Sequence, residues 1–376
     1  MKISHVKVAA GLVLASLAVA ACGSSSSSSS TKTSGSASGT GTTSSAHVSA
    51  TINGAGSTLA APIYEQWAST LKSSGLTVNY NGVGSGAGVT DLQTATVDFA
   101  GSDPALKPAD RSKMKGPVIQ FPVAFGAITV SYNLSGVKTG LKLDGPTLAD
   151  IFLGKITKWN NSAITSLNPG VSLPGTTITV IHRSDSSGTT NGFTQFLSDV
   201  SPTWKSQIGS GKDVKWPVGT GAAKNSGVAA AIKQTAGSIG YVEQAYALEN
   251  GFTYAAVKNH AGNYVLPTIG NTSSAALSIH IPTDLGILTI YSPNSAAYPI
   301  VSQTFLLAYQ DPCKAGGASE NTAKGLKAFL SYALGAGQST LGAGANQLPY
   351  APLPSSLVAL GKTKLATMTC NGAALS

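Results

Sequence analysis

The sequence predicts an α/β protein with mainly parallel sheets that is divided into two lobes. Strand-like apolar stretches alternate with helix-like apolar spacing beyond residue 51. The chain has 376 residues, more than one hydrophobic core usually supports. Two long apolar runs, residues 121–130 and 298–307, are suited to cross between lobes. We therefore expect residues 51–127 with 303–376 in lobe I and residues 128–302 in lobe II, joined by a hinge.

The N-terminus predicts export. Lys2 and Lys7 lie beside an apolar stretch, residues 8–21, that is too short to span a bilayer and has the layout of a secretory signal. Its small-residue end, residues 19–22, resembles a bacterial lipobox, which implies that residues 1–22 are a lipoprotein signal peptide and that Cys22 is lipidated. An ordinary signal peptide with an incidental cysteine is the alternative. We expect an extracytoplasmic protein anchored to the cell membrane only through lipid.

Composition describes the rest of the chain coarsely. Residues 23–50 are nearly all Ser, Thr and Gly, which predicts a flexible tether. Cys313 and Cys370 are left as a possible disulfide. We expect no cofactor and no metal site, since no Cys/His cluster has metal-binding spacing. The net charge of +9 comes from scattered lysines, so we expect no nucleic-acid partner, and we expect a monomer.

The elements before residue 104 follow from local patterns. Leu59, Ile63, Trp67 and Leu71 recur every four residues and predict a helix after a glycine-rich turn. Residues 76–80 alternate as a strand, a short helix follows the glycines of residues 82–88, and residues 97–103 predict a strand that ends in a loop. A later segment rich in Ser and Ala, residues 271–276, is interpreted as a loop.

The central stretch R-S-D-S-S-G-T, residues 183–189, lies between a predicted strand and a predicted helix. Free N-H groups at a helix start attract anions, and Ser187, Gly188 and Thr189 would supply them beside the guanidinium of Arg183. Alternatively, Ser187 only caps the helix and Arg183 pairs with Asp185 on the surface. Similar glycine-rich helix starts at Thr58 and Ser85 favour one shared oxyanion site.

A dinucleotide site is a competing interpretation of the second glycine-rich turn. Gly82, Gly84 and Ala87 fit the G-x-G-x-x-G/A pattern, and Asp103 follows about twenty residues on. The pattern arises easily by chance among 43 glycines, and an exported protein has little access to NAD. We therefore favour Ser85 as a donor at a helix start.

Several motifs in this order resemble the substrate-binding proteins of bacterial phosphate ABC importers. They are G-A-G-S-T (54–58), V-D-F-A-G-S-D (97–103), L-A-D-I-F-L-G-K-I-T-K-W-N (148–160), R-S-D-S-S-G-T (183–189), K-W-P-V-G (215–219) and G-S-I-G-Y-V-E (237–243). The similarity extends from about residue 50 to residue 357. It implies a two-lobed, hinged periplasmic-binding-protein fold of type II that clamps phosphate and delivers it to permease subunits.

The resemblance also implies which residues contact the ligand. By position they are Thr58, Leu59, Ser85, Asp103, Arg183, Ser187, Gly188 and Thr189. Two of these regions depart from the family pattern: Leu59 stands where an aromatic residue is common, and Ser186 replaces a frequent glycine. The position of Leu59 is assigned a backbone N-H, so neither change removes a donor.

Elementary chemistry gives Asp103 a role in selectivity. Phosphate near neutral pH carries a proton, and an ionised carboxylate is a pure acceptor for it. Sulfate has no proton to give and would be repelled, whereas protonated arsenate would fit as phosphate does. The alternative is that Asp103 only caps a turn before Pro104.

Two other classes of function compete with capture for import. A secreted phosphatase would use Ser187 as its nucleophile, but the motif of residues 183–189 contains no histidine or metal cluster to activate it. A surface adhesin or signalling ectodomain, such as a phosphate-sensing surface protein, would keep the same fold. We expect a binding protein and no enzyme.

Overall fold

Strands and helices alternate along residues 49–375, which are the residues that the computed structural model describes. The predicted signal peptide, its Cys22 and the tether up to residue 48 lie outside them. The strands are β1 (Ala50–Gly56), β2 (Leu76–Gly82), β3 (Phe99–Ser102), β4 (Val118–Tyr132), β5 (Lys142–Leu143), β6 (Thr179–Arg183), β7 (Thr220–Ala222), β8 (Ser238–Glu243), β9 (Thr253–Tyr254), β10 (Ala256–Lys258), β11 (Tyr264–Val265), β12 (Val301–Tyr309), β13 (Thr369–Cys370) and β14 (Ala373–Ala374).

The helices lie between and around these strands. They are α1 (Ala61–Lys72), α2 (Ser85–Thr94), α3 (Pro108–Arg111), α4 (Gly145–Phe152), α5 (Ser162–Thr165), α6 (Gly188–Val200), α7 (Pro202–Gln207), α8 (Lys224–Gln234), α9 (Gln244–Glu249), α10 (Ile269–Ser274), α11 (Pro312–Gly316), α12 (Glu320–Ala333) and α13 (Ser355–Leu365). Two 3₁₀ helices span Ala275–Ser278 and Ala336–Thr340.

One nine-stranded sheet organises the described chain. Its strand order is β2-β1-β3-β12-β4-β8-β6-β7, with β9 also paired to β4. Within each half the strands run parallel, β1 with β2 and β3, and β6 with β7 and β8. The two long strands in the middle, β4 and β12, pair antiparallel with their neighbours. The predicted parallel sheets are therefore present, and antiparallel crossing strands join them into a mixed sheet.

Strand β4 belongs to both halves of this sheet. Residues 118–127 pair with β12 and residues 128–132 pair with β8, so the partner changes between Ala127 and Ile128. That change coincides with the predicted boundary of lobe I. The described residues cluster as one compact unit, and the division into residues 51–127 with 303–376 and residues 128–302 stays a prediction.

Local patterns explain the elements that carry the site. Ile63 and Trp67 face the core from α1, as the four-residue spacing predicts, and Pro62 is accommodated in the first turn. All nine residues of β12 are buried, its three polar residues included, which explains why apolar and polar residues do not alternate along it. The strand β1 begins at Ala50, the last residue of the predicted tether.

The interpretation of residues 271–276 as a loop is wrong. They form the end of α10 and the start of a 3₁₀ helix. The side chain of Thr268 accepts from the Asn271 N-H and caps α10, while Ala275 is fully buried. A side-chain cap and tertiary packing outweigh the low helix propensity of this segment.

A disulfide ties the C-terminal segment to the main sheet. Cys313, in α11 directly after β12, is bonded to Cys370 in β13, and the two are 57 residues apart in sequence. No helix within residues 49–375 is both long enough and apolar enough to cross a membrane.

Candidate functional site

Asp103 is a buried carboxylate surrounded by hydroxyl donors from three elements. Its side chain accepts from Ser57 Oγ at 2.5 Å, Thr304 Oγ1 at 2.9 Å and Ser85 Oγ at 3.4 Å. Burial raises the pKa of Asp103 to about 6, although these hydrogen bonds and the charge of Arg183 act to lower it. At neutral pH the carboxylate is therefore mostly ionised and can accept one further hydrogen bond.

Arg183 stands at the end of β6 and is 3% exposed. Its Nε and Nη2 donate to the two carboxylate oxygens of Asp185 at 2.7 and 2.5 Å. Burial alone would raise the pKa of Asp185, but this ion pair holds it below its usual value. The remaining nitrogen, Nη1, is buried and has no hydrogen-bond partner among the described residues. A buried unpaired guanidinium N-H is costly, so this donor calls for an anion.

Helix α6 begins beside Asp103. Ser187 caps it by accepting from the Thr190 N-H at 3.1 Å, as the capping interpretation predicts. The prediction that Ser187 supplies a free N-H is wrong, because its N-H donates to the Lys212 carbonyl at 3.0 Å. A side chain on Gly188, the first residue of the helix, would overlap both Asp103 Oδ2 and Ser85 Oγ. The positive end of α6 is therefore packed against the acceptor cluster, with only a glycine between them.

The loop before α1 reaches the same place through Asn225. This buried amide donates to Thr58 Oγ1 at 3.0 Å and to Thr189 Oγ1 at 3.3 Å, so it joins the first loop to α6. Thr58 does not begin a helix itself, because α1 starts at Ala61. Leu59 is fully buried next to it.

Unpaired backbone donors accumulate at this point. Within residues 49–375, unpartnered N-H groups from the three loops include those of Thr58, Leu59, Ser85, Gly188 and Thr189. Orphan N-H groups are normal at helix starts, but here they come from three segments that meet around one carboxylate. The arrangement offers many donors and one acceptor, which suits a protonated oxyanion.

The sequence-predicted site residues are thus brought together. Asp103, Ser85 and Gly188 are in direct contact, Thr58 and Thr189 share Asn225, and Arg183 and Ser187 lie on the same loop as Gly188. The departure at Ser186 is accommodated, because its hydroxyl donates to Asp213 and its carbonyl accepts from the Gly86 N-H. The glycine-rich turn of residues 82–87, which fits a dinucleotide pattern, contributes to this site instead. Ser85 begins α2 there and donates a hydrogen bond to Asp103.

Sequence reasoning missed several residues that support the site. They are Ser57, Asn225, Glu243, Thr304 and Tyr350. Ser57 and Glu243 lie inside motifs that carried the family resemblance and could have been noticed there. Asn225 had no sequence signal, because it contacts loops more than 30 residues away: 167 residues to Thr58 and 36 to Thr189.

Glu243 is fully buried at the end of β8. Burial raises its pKa to about 8, although the hydrogen bonds with Tyr350 and the backbone of Ala245 act to lower it, and the charge of Asp103 raises it further.

A polar cavity of 620 Å³ opens beside Thr58 and is lined also by Tyr80 and Tyr246. Within residues 49–375, no group of three or more His, Cys, Asp or Glu side chains is placed to hold a metal ion.

Comparison with known proteins places this fold in a class. A model described as the PBP superfamily domain matches residues 41–336. Among solved structures, a high-affinity periplasmic phosphate-binding protein bound with phosphate superposes with a TM-score of 0.66 at 24% identity, over 87% of this chain and 96% of that chain. A human phosphate-binding apolipoprotein gives 0.64 at 21% identity, over 83% and 93%. These likenesses establish the fold, that of a periplasmic-binding-protein-like α/β protein.

Sequence relatives narrow the class to a family. Phosphate-binding protein PstS of Xylella fastidiosa (strain Temecula1 / ATCC 700964) is 41% identical over 315 residues, 82% of this chain and 83% of the relative. PstS of Haemophilus influenzae is 40% identical over 323 residues, 84% and 93%. PstS 3 of Mycobacterium tuberculosis is 38% identical over 331 residues, 84% and 85%. The chain belongs to the PstS family of phosphate-binding proteins.

Proposed function

We propose that this protein captures inorganic phosphate between its two lobes and delivers it to the permease of an ABC importer. The observation that carries the proposal is the convergence of unpaired donors, including Nη1 of Arg183, on the single acceptor Asp103. Relatives about 40% identical are named phosphate-binding proteins, which supports the same ligand here. The proposed ligand residues are Thr58, Leu59, Ser85, Asp103, Arg183, Ser187, Gly188 and Thr189.

The proposed binding mode follows from the chemistry of these groups. The free N-H groups and the guanidinium N-H donate to the phosphate oxygens, and the dipoles of α2 and α6 favour the negative charge. Asp103 accepts the hydrogen that phosphate still carries at neutral pH. Lobe closure about β4 and β12 would bring α6 onto Asp103, which is the close approach that Gly188 permits.

The proposed cellular setting rests on the N-terminal sequence. Cleavage before Cys22 and lipidation of that residue would anchor the protein outside the cytoplasm, with the tether letting it reach the permease. We propose a binding role without turnover, since the only hydrogen bond of the Ser187 hydroxyl within residues 49–375 is with the Thr190 N-H, and no base contacts it there. Sustained release of phosphate from a model ester by the purified protein would contradict this.

The test is titration calorimetry with phosphate and with sulfate on the wild type and on Asp103→Asn. The wild type should bind phosphate and not sulfate. The amide can donate a hydrogen bond to an unprotonated oxygen, so the variant should gain sulfate binding and lose at least about tenfold in discrimination, about 1.4 kcal/mol. Equal binding of sulfate and phosphate by the wild type would refute the role of Asp103. Asp98→Asn is the control. Asp98 is a half-buried carboxylate, and it accepts a hydrogen bond from the Asn53 N-H, so this change should leave the selectivity for phosphate over sulfate unchanged.

A further inference from the structure

Three tyrosine hydroxyls hold three consecutive carbonyl groups of the first ligand loop. Tyr80 Oη donates to the carbonyl of Ser57 at 2.9 Å, and Tyr246 Oη donates to that of Thr58 at 2.9 Å. Tyr350 Oη lies 2.7 Å from the carbonyl oxygen of Leu59. These tyrosines come from β2, α9 and the segment before α13, so distant parts of the chain converge on one short loop.

Because the peptide bond is planar, fixing a carbonyl group also fixes the direction of the N-H group in the same peptide. In a trans peptide the C=O of one residue and the N-H of the next point in opposite directions. Holding the Ser57 carbonyl therefore orients the Thr58 N-H, and holding the Thr58 carbonyl orients the Leu59 N-H. Both N-H groups lack a hydrogen-bond partner within the described chain, and both are proposed phosphate ligands.

The third tyrosine acts on the acceptor instead. The Leu59 carbonyl shares its peptide with the Ala60 N-H, which donates to Ser57 Oγ at 3.2 Å. Ser57 Oγ in turn donates to Asp103 Oδ1 at 2.5 Å. Tyr350 thus orients the peptide that directs the Ser57 hydroxyl onto Asp103.

Counting hydrogens at Tyr350 assigns a proton to Glu243. The phenol has one hydrogen, but its oxygen lies 2.7 Å from the Leu59 carbonyl oxygen and 2.8 Å from Glu243 Oε2. A carbonyl cannot donate, so both contacts are hydrogen bonds only if Tyr350 donates to Leu59 and a protonated Glu243 donates to Tyr350. With an ionised Glu243, one of the two short oxygen contacts would have no hydrogen between its atoms.

A second observation agrees with a neutral Glu243. Its other oxygen, Oε1, is buried with no hydrogen-bond partner among residues 49–375. An orphan carbonyl oxygen of a neutral acid is far less costly than an orphan oxygen of a buried carboxylate. The titratable groups facing Glu243 are Tyr350, Tyr246 and Asp103. None of them supplies a positive charge, and burial raises the pKa of Glu243 in the same direction.

We propose that Tyr80, Tyr246 and Tyr350 are positioning residues that aim the backbone donors of residues 58 and 59 at the ligand, and that a proton held on Glu243 keeps Tyr350 directed at Leu59. The proposal rests on the proposed function, because the ligand is phosphate. It also predicts that phosphate affinity falls at high pH when Glu243 loses its proton, in addition to any effect from titration of Asp103 or of phosphate itself.

The first test compares tyrosine-to-phenylalanine variants by phosphate calorimetry. Tyr80→Phe, Tyr246→Phe and Tyr350→Phe should each weaken binding by about 3- to 30-fold, the range expected when one orienting hydrogen bond is lost. Tyr132→Phe is the control: it removes a buried hydroxyl that donates to the Lys138 carbonyl, away from the loop, and should leave affinity within about twofold.

The second test isolates the proton with Glu243→Gln. The glutamine amide can donate to Tyr350 at every pH, so this variant should keep the phosphate affinity of the wild type at pH 7. Glu243 loses its proton above its pKa of about 8. The phosphate affinity of the wild type alone should therefore fall, by up to about tenfold relative to the variant at pH 9. Infrared difference spectra between the two proteins should show the carbonyl band of a protonated carboxylic acid at pH 7, and the band should disappear at high pH.

The outcomes separate this proposal from the function on which it rests. Absence of phosphate binding by the wild type would reject the proposed function. Binding by the wild type with all three phenylalanine variants unchanged would reject the positioning role alone. A constant affinity ratio between wild type and Glu243→Gln from pH 6 to 9, without the infrared band, would reject the proton on Glu243, even if Tyr350→Phe failed to fold.

Discussion

Arg183 shows how one residue can make a structural ion pair and still keep a donor unpaired. Two of its nitrogens donate to Asp185, which keeps the planar guanidinium in one orientation, and the third has no hydrogen-bond partner within residues 49–375. The sequence presented pairing and anion binding as alternatives, but a guanidinium has enough donors for both. Its pairing also gives a guanidinium that is only 3% exposed a counter-charge, while Nη1 has no hydrogen-bond partner within residues 49–375.

Replacement of Arg183 by lysine should separate charge from geometry. Lysine keeps the charge but cannot fork onto Asp185 while donating to a ligand, so we expect at least a 100-fold loss of phosphate affinity, about 2.7 kcal/mol. The phosphate-free variant should also lose about 1.5–3 kcal/mol of unfolding free energy, measured in urea, because its hydrogen bonds to the charged Asp185 are lost.

The matched control for this change is Arg111→Lys. Arg111 pairs with Asp284 at 3.2 Å, with side chains 32% and 52% exposed. An exposed pair contributes little, so unfolding free energy should change by less than about 0.5 kcal/mol and phosphate affinity should not change. Equal losses in the two variants would show that Arg183 acts only as a surface charge.

At the scale of elements, the site is built from three loops that precede or begin helices. Helices α2 and α6 begin at Ser85 and Gly188, and the loop at Thr58 lies before α1. Parallel strands within each half bring such loops to one edge of the sheet. What the strands cannot set is how closely the loops approach, and that distance depends on glycine at position 188.

A methyl group on Gly188 should therefore disturb binding more than folding. The added Cβ would overlap Asp103 Oδ2 and Ser85 Oγ, and relieving such overpacking costs about 1–3 kcal/mol. We expect Gly188→Ala to weaken phosphate binding by about 5- to 150-fold in calorimetry, because α6 can no longer approach Asp103.

Gly270→Ala provides the comparison. Gly270 also lies in the first turn of a helix, α10, but a Cβ there would meet nothing within 4 Å. This variant should bind phosphate like the wild type and be unchanged or slightly more stable, since alanine favours a helix. A normal affinity for Gly188→Ala would show that the close packing at residue 188 is not needed for binding.

At the scale of the whole molecule, the long strands β4 and β12 hold the sheet together. Their residues are almost entirely buried, and β4 exchanges β12 for β8 as its partner midway. The disulfide between Cys313 and Cys370 closes the chain near the end of β12, away from the loops that form the site. Stability of the C-terminal segment and affinity for the ligand should therefore be separable.

Removal of the disulfide tests that separation. A loop closed by residues 57 apart restricts the unfolded chain by about 4 kcal/mol in the chain-entropy model. We expect the double variant Cys313→Ser with Cys370→Ser to lose about 2–4 kcal/mol of unfolding free energy in urea, with phosphate affinity within about twofold of the wild type. A large loss of affinity without a loss of stability would contradict this separation. The wild type treated with a reductant should behave as the double variant does.

The sequence by itself determined the fold class, the order of the main elements around the candidate site, and the types of residue that we propose as anion ligands. Apolar spacing predicted α1 and β2, and largely apolar runs predicted β4 and β12, because periodicity and burial are properties of neighbouring residues. Motif resemblance brought Ser85, Asp103 and Gly188 into one site, and the structure places them in contact.

Only the tertiary structure decided which groups complete the site. Asn225 bridges two loops, and Thr304 reaches Asp103 from 201 residues away. The carbonyls of residues 57–59 accept hydrogen bonds from tyrosines of three distant segments, and Tyr350 Oη also lies 2.8 Å from Glu243 Oε2. Such contacts depend on how the sheet brings remote segments together, and the spacing of residues along the sequence does not predict them.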